Sequence, residues 1–246
     1  MAELKLDTLE EIRAAIRSIK KGARVPYNGA NQDVNLGDHA IYAGNGYFGD
    51  FDAGNYSEFE DDGTLEFHGD GTVWDDIILP LDPAKVPAAN FPSWIAFVGN
   101  LNAWRFGIGD YLEMTAEIPH RYMNGGDLYF HVHWVSMSNA PGVRAVNWEI
   151  EYTIANAGAA IVGDVFPAPT IITQEDTIPA GTPTNTHAFT QVGIDATGNF
   201  NIGAVIKMRL RRIAAVGTAP GIAPFALGVG IHYPIDTVGS RNIRTK

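Results

Sequence analysis

The chain has 246 residues and a mass of 26.6 kDa, enough for one large β domain or two small ones. It is 46% hydrophobic and 18% charged, against about 25% charged in an average soluble domain, which excludes wholesale disorder and leaves enough apolar material for a sizeable core. Cysteine is absent, which removes disulfides, thiolate metal sites and cysteine nucleophiles together.

No apolar run approaches the ~18 residues of a membrane span, so a membrane partner is not expected. Met1-Ala2-Glu3-Leu4 lacks a basic region followed by an apolar stretch, so no secretory signal is expected, and synthesis in a cytoplasm is the simplest reading. The 27 glycines and 14 prolines favour many turns over long helices. The net charge of -11 is unevenly placed. Residues 25–84 hold 13 acidic groups and no Lys or Arg, whereas residues 85–246 balance at zero. So acidic a segment repels nucleic acid and anionic lipid. It suits a solvated face, a basic protein surface or a hard cation.

The first element reads as a helix. Thr8-Leu9-Glu10-Glu11 has the spacing of a capping box, and Gly22 follows Arg17, Lys20 and Lys21, which suit the negative end of a helix dipole. Leu9, Ile12, Ile16 and Ile19 recur at three, four and three, the spacing of a coiled-coil seam. Ile at both seam positions favours three or four strands over two. A helix this short is barely stable alone, so it must pack on its own β domain, on copies of itself or on a larger assembly. Residues 23–72 follow, rich in Gly, Asn, Asp and Tyr, with runs such as Ala40-Ile41-Tyr42 and Tyr47-Phe48 between turn signals. They read as small hairpins or an extended arm whose aromatic side chains need a partner surface. The expected organisation is a helix-and-arm region over 1–63 and a β domain over 64–246.

From about residue 64 the pattern is β. Thr64 to His68 and Thr72 to Leu79 lead, followed by strands expected at 94–98, 102–106, 110–118, 127–136, 143–154, 186–194, 203–213 and 225–235. Ten such segments beside one helix predict a mainly β protein, an antiparallel β-sandwich of the jelly-roll type. The stretch 156–185, with four prolines, reads as a long loop with one short strand near Ile171-Ile172. Alternation puts Leu128, Phe130, Val132 and Trp134 on one face, and Val146, Trp148, Ile150, Tyr152 and Ile154 on another, as the core. A hairpin through residues 138–142 would pair these two strands and set His131 opposite Glu149.

His131-Val132-His133 is the sharpest chemical feature. Two His two apart on a strand project from one face about 6–7 Å apart, and Glu149 could complete a two-His, one-carboxylate metal site. Gly125, six residues before His131, resembles part of the metal motif of cupin jelly rolls. That motif places a Glu four or five residues after the second His, where this chain has Met137 and Ser138. His232 lacks the expected context as well. The competing reading is a His–Glu cross-strand pair on a solvated or intersubunit face, and no metal or other cofactor is expected. Lys207, Arg209 and Arg211 make a basic stripe, read as a solvated strand face or a contact with the acidic 25–84 segment. Asp50-Phe51-Asp52, Asp61-Asp62 and Asp75-Asp76 match no calcium loop. No nucleophile elbow, phosphate loop or dinucleotide fingerprint occurs, so no catalytic residues are expected and the chain does not read as an enzyme.

Three stretches taken in order carry a resemblance. Phe59-Glu60-Asp61-Asp62-Gly63-Thr64-Leu65-Glu66-Phe67 runs into Thr72-Val73-Trp74-Asp75-Asp76; His131-Val132-His133-Trp134 follows; Asp236-Thr237-Val238-Gly239-Ser240-Arg241 closes the chain. Together, over roughly residues 58–246, they resemble virion structural proteins of tailed bacteriophages. The resemblance implies a jelly-roll virion component made in the host bacterial cytoplasm, non-enzymatic and trimeric. In that reading it is a capsid decoration or cement protein on the phage major capsid protein or another virion protein, its trimer knitted by Leu9, Ile12, Ile16 and Ile19. Two rivals are a head-fibre or tail appendage whose loops, such as 156–185, bind a host receptor or glycan, and a cupin-like metalloprotein using His131, His133 and Glu149.

Overall fold

The computed structural model describes residues 46–60, 62–158 and 163–242. All described residues belong to one compact unit within Ala43–Lys246. The expected helix with Leu9, Ile12, Ile16 and Ile19 lies outside the described residues, as does Ala40-Ile41-Tyr42.

A three-stranded antiparallel meander comes first: β1 (Gly46–Asp50), β2 (Asn55–Phe59) and β3 (Leu65–His68). Then come β4 (Val73–Pro80), a hairpin of β5 (Ser93–Val98) and β6 (Leu101–Arg105), and β7 (Tyr111–Glu117). The remaining strands are β8 (Leu128–Ser136), β9 (Arg144–Ala155), β10 (Thr170–Ile178), β11 (Thr186–Asp195), β12 (Val205–Ile213) and β13 (Phe225–Ile235). Two antiparallel sheets result. One runs β4-β13-β8-β11, with the β5–β6 hairpin continuing beside the start of β13; the other runs β7-β12-β9-β10. Successive strands that hop between the two sheets in this order give the connectivity of a jelly roll. The mainly antiparallel β architecture read from the sequence is present.

The faces expected to be apolar meet in the middle. Leu128, Phe130, Val132 and Trp134 of β8 are buried, as are Val146, Trp148, Ile150, Tyr152 and Ile154 of β9. The Phe130 and Tyr152 rings stack at 4.5 Å, Trp134 and Trp148 lie 6.2 Å apart, and Phe106 stands edge-on to Trp148 at 5.5 Å. Such aromatic pairs add roughly 0.5–1.5 kcal/mol beyond the area they bury. Polar links join elements within this interior. Tyr152 donates to Asp195 at 2.7 Å, and the Trp134 indole donates to Thr190 Oγ1, which donates in turn to Asp176.

Two expectations are corrected here. β8 and β9 do not pair; they lie in opposite sheets, and their apolar faces meet across the core instead of side by side. Both strands carry large side chains on one face, and a sandwich buries both faces at once where a hairpin in one sheet would leave them parallel and uncovered. The second correction concerns 156–185, which contains a full nine-residue strand, β10, along β9 from Thr170↔Tyr152 to Ile178↔Arg144. This is an edge strand, and its exposed Thr and Gln side chains, with the half-buried Glu175 and Asp176 beside them, hide the alternation.

Candidate functional site

The outer faces of the two sheets differ in chemistry. On the β7-β12-β9-β10 sheet, Lys207, Arg209 and Arg211 of β12 alternate with the buried Ile206, Met208 and Leu210. Their partners are carboxylates of the neighbouring strands. Lys207 lies 3.2 Å from Glu113 on β7, Arg209 Nε lies 2.6 Å from Glu151, and Arg211 lies 3.4 Å from Glu149 on β9. Arg209 also sits over the Tyr111 ring at 5.2 Å. The stripe is therefore a ladder closed within the β domain, and the described part of the acidic 25–84 segment contributes no carboxylate to its ion pairs. This ladder removes Glu149 from the metal reading. Its carboxylate faces Arg209 and Arg211 on the opposite sheet from His131.

The outer face of the other sheet carries a histidine cluster. β8 contributes His131 and His133, β11 contributes His187 and Phe189, β13 contributes His232, and β4 contributes Asp76. Registers explain the assembly. His131 pairs with Gly230, and the next outward position of β13, His232, pairs with Asp76. Because Gly230 has no side chain, the His131 ring lies across β13 toward β4; a Cβ at 230 would stand 2.1 Å from His131 Nε2. His131 Nε2 then lies 3.6 Å from Asp76 Oδ2, and His232 Nδ1 lies 3.8 Å from Asp76 Oδ1. The two imidazoles stack at 4.2 Å, and Phe189 packs against His131 at 4.7 Å and lies 6.3 Å from His232.

His131 is 0% exposed. Burial pulls its pKa down to about 4 against the opposing pull of Asp76, so the ring is neutral at pH 7. His133 is lowered by burial and then by His187, whose Nε2 is 3.0 Å from His133 Nδ1. The two expected histidines are thus brought close, with ring centroids 5.0 Å apart, but they take different partners. His133 turns to His187. His131 turns to Asp76 and His232.

Sequence reasoning missed Asp76 and set His232 aside for want of the expected context. A periodic signal existed: Gly228, Gly230 and His232 alternate on β13, leaving open positions beside a His-x-His strand. What the sequence withholds is that β13 lies between β8 and β4. Beside the cluster, Trp74, Tyr129, Gln191 and His232 line a surface recess, with Trp74 edge-on to Tyr129 at 4.9 Å.

A second exposed feature is aromatic. In the meander, Tyr47, Phe48, Phe51 and Phe59 are each about half exposed. Tyr47 stands edge-on to Phe51 and Tyr56 at 4.8 and 5.5 Å, Phe51 and Tyr56 meet at a tilt at 4.9 Å, and Phe48 meets Phe59 edge-on at 5.8 Å.

No family model and no curated protein matches this chain. Solved structures with partial likeness are polyomavirus VP1 proteins. The VP1 pentamer of Human Polyomavirus 6 is 8% identical, covering 69% of this chain and 95% of that one at a TM-score of 0.23. The unassembled KI Polyomavirus VP1 pentamer is 7% identical, covering 69% and 95%, with a TM-score of 0.21. VP1 of Trichodysplasia spinulosa-associated polyomavirus in complex with GM1 oligosaccharide is 8% identical, covering 69% and 96%, with a TM-score of 0.21. Scores of this size do not establish a shared fold.

Proposed function

We propose that this protein is a non-enzymatic virion structural component of a tailed phage, a homotrimeric decoration protein that binds the major capsid protein and stiffens the head. The observation that carries this reading is the exposed aromatic surface of the β1–β3 meander. Tyr47, Phe48, Phe51 and Phe59 bring large apolar rings to the surface of a segment that carries no Lys or Arg. Contiguous exposed aromatics of this kind mark association surfaces. The ordered resemblance over residues 58–246 supports the same reading, as does the seam of Leu9, Ile12, Ile16 and Ile19, whose place in this proposal is to hold the trimer. Binding across capsomers needs no chemistry. Each fully buried large apolar side chain contributes about 1.5–3 kcal/mol, repeated over many symmetry copies.

Native mass spectrometry of the recombinant chain, followed by binding to phage heads that lack it, tests the proposal. A species of three times 26.6 kDa, and a higher opening temperature of the decorated heads, are expected. Ile12→Asp with Ile16→Asp should dissociate the trimer, and Phe48→Ser with Phe51→Ser should weaken head binding. Heads that neither bind the chain nor gain stability would overturn the decoration role.

One observation favours a second reading, a head-fibre or tail appendage that binds a host glycan. Trp74, 57% exposed, stands with Tyr129, Gln191 and His232 around an open recess, offering an aromatic face and polar groups to a sugar. Tryptophan quenching by a sugar panel, lost in Trp74→Ala, would support it; an unquenched panel would reject it.

A further inference from the structure

We propose that Asp76, His131 and His232 form a divalent metal site of the zinc class that clasps three adjacent strands, β4, β8 and β13. Each of these side chains offers one ligand atom, and those atoms all lie within 4.8 Å of one another. Around a tetrahedral zinc with bonds of ~2.0–2.1 Å, ligand atoms stand about 3.3 Å apart. His131 Nε2 lies 3.6 Å from Asp76 Oδ2 and His232 Nδ1 lies 3.8 Å from Asp76 Oδ1, so each imidazole faces its own carboxylate oxygen, and a turn of the carboxylate or of the partly exposed His232 ring is needed to bring one oxygen to both.

Unpartnered atoms point to a ligand. His131 is fully buried, and its Nε2, the nitrogen that faces Asp76, has no hydrogen-bond partner, while the Tyr129 backbone lies within reach of the ring; Asp76 Oδ1 is buried without a partner as well. A buried polar atom left without a partner costs roughly 1–3 kcal/mol, so such groups are ordinarily satisfied. At 3.6 Å the His131–Asp76 approach is too long for a hydrogen bond. A cation between the three side chains takes one lone pair from each and supplies the missing partner. Gly230 is the second structural element of the site, since any side chain there would occupy the volume into which His131 Nε2 is aimed.

The donor set selects the class of metal. Two imidazoles and one carboxylate suit zinc or a neighbouring first-row ion, whereas calcium and magnesium prefer oxygen ligands throughout. His133 and His187 are not among the side chains whose ligand atoms converge, and His133 Nδ1 and His187 Nε2 meet each other at 3.0 Å. Only His232 of the three ligands is substantially exposed, at 42% of its side chain, so a fourth position opens toward the recess beside Trp74 and remains available to water. The expected consequence is mechanical: β4 is fastened to β13 and β8 by a cross-strand tie in addition to its backbone ladder.

The test uses the full chain, stripped with chelator and titrated with Zn²⁺ by calorimetry, alongside thermal unfolding with and without the metal. One Zn²⁺ per chain and a higher Tm in its presence are expected. His232→Ala changes an exposed side chain and Asp76→Asn keeps the shape of a largely covered one, so both should leave folding intact. Each should weaken affinity by more than the roughly 10–100-fold that loss of an outer-shell partner costs, and should abolish the shift in Tm. His133→Ala with His187→Ala should leave both unchanged. Absence of stoichiometric binding would overturn the site, as would binding that survives His232→Ala or disappears with the His133/His187 pair.

Discussion

His131 and Gly230 are cross-strand partners, and the imidazole of the first fills the space that a side chain on the second would need. A Cβ on residue 230 would lie 2.1 Å from Nε2 and 2.3 Å from Cε1 of His131, and 3.0 Å from Asp76 Oδ1. The ring cannot retreat toward β11, because Phe189 packs there at 4.7 Å. Gly230→Ala should therefore destabilise the fold by about 1–3 kcal/mol, the usual cost of overpacking. Gly221, where an added Cβ meets nothing within 4 Å, is the control: its Ala variant should fall within about 0.5 kcal/mol of the parent. Urea titration of the two variants reads the difference, and equal midpoints would show that the ring has room to move.

Thr190 holds a polar relay inside the sandwich. Its hydroxyl accepts from the Trp134 indole at 2.8 Å and donates to Asp176 at 2.7 Å, joining β8, β11 and β10. Thr190→Val keeps the shape and removes the oxygen, leaving the buried indole N–H without an acceptor. The expected loss is about 1–3 kcal/mol. Thr190→Ser retains the hydroxyl and should recover most of that difference apart from the missing methyl. If chemical denaturation places Val and Ser variants together, the relay contributes nothing to stability.

The strands of this molecule were legible because period-two patterning survives wherever one face is buried. Leu128 to Trp134 and Val146 to Ile154 each name their core face without ambiguity. Pairing was not legible, because alternation says which way a side chain points and not which strand lies beside it. The same ambiguity set His131 against Glu149 on paper, whereas β8 lies beside β11 and β13, and β9 beside β10 and β12. β10 showed only as a short strand near Ile171-Ile172 for a related reason. An edge strand needs no continuous apolar face, and Thr173, Gln174, Glu175 and Asp176 supply none. The histidine cluster was half visible: His131 stands out in the sequence, while Asp76 reads as one acid among many in a segment full of them.

Glu149 sits between two guanidinium groups, 3.9 Å from Arg209 and 3.4 Å from Arg211. Removing its charge leaves two cations adjacent on one strand face with only Glu151 to offset them. Glu149→Gln should cost about 0.5–1 kcal/mol at low salt, the ordinary range for partly exposed pairs. The deficit should shrink as salt rises past ~0.15 M, where the screening length falls to about 8 Å. A deficit independent of salt would locate the role of Glu149 in packing instead.

Buried tyrosines couple the stability of the fold to alkaline pH. Burial pushes the Tyr122 hydroxyl up to about 12, and the nearby carboxylates of Asp127 and Asp195 add to the effect. Burial also raises Tyr152, followed by its hydrogen bond to Asp195. An unfolded tyrosine ionises near ~10, so above that pH the unfolded chain gives up protons that the folded chain retains. The folded state then binds more protons than the unfolded one, and stability falls as pH rises. The contribution is whole below pH ~10 and is lost progressively toward about 12 and beyond. The urea midpoint should therefore decline across this interval while staying level between pH 8 and 9. Tyr152→Phe should be less stable at pH 7, by about 1 kcal/mol for the lost hydrogen bond, yet decline less steeply above pH 10. An unchanged slope in that variant would mean that Tyr152 ionises equally in both states, and the hydrogen bond to Asp195 would then have no part in the alkaline transition.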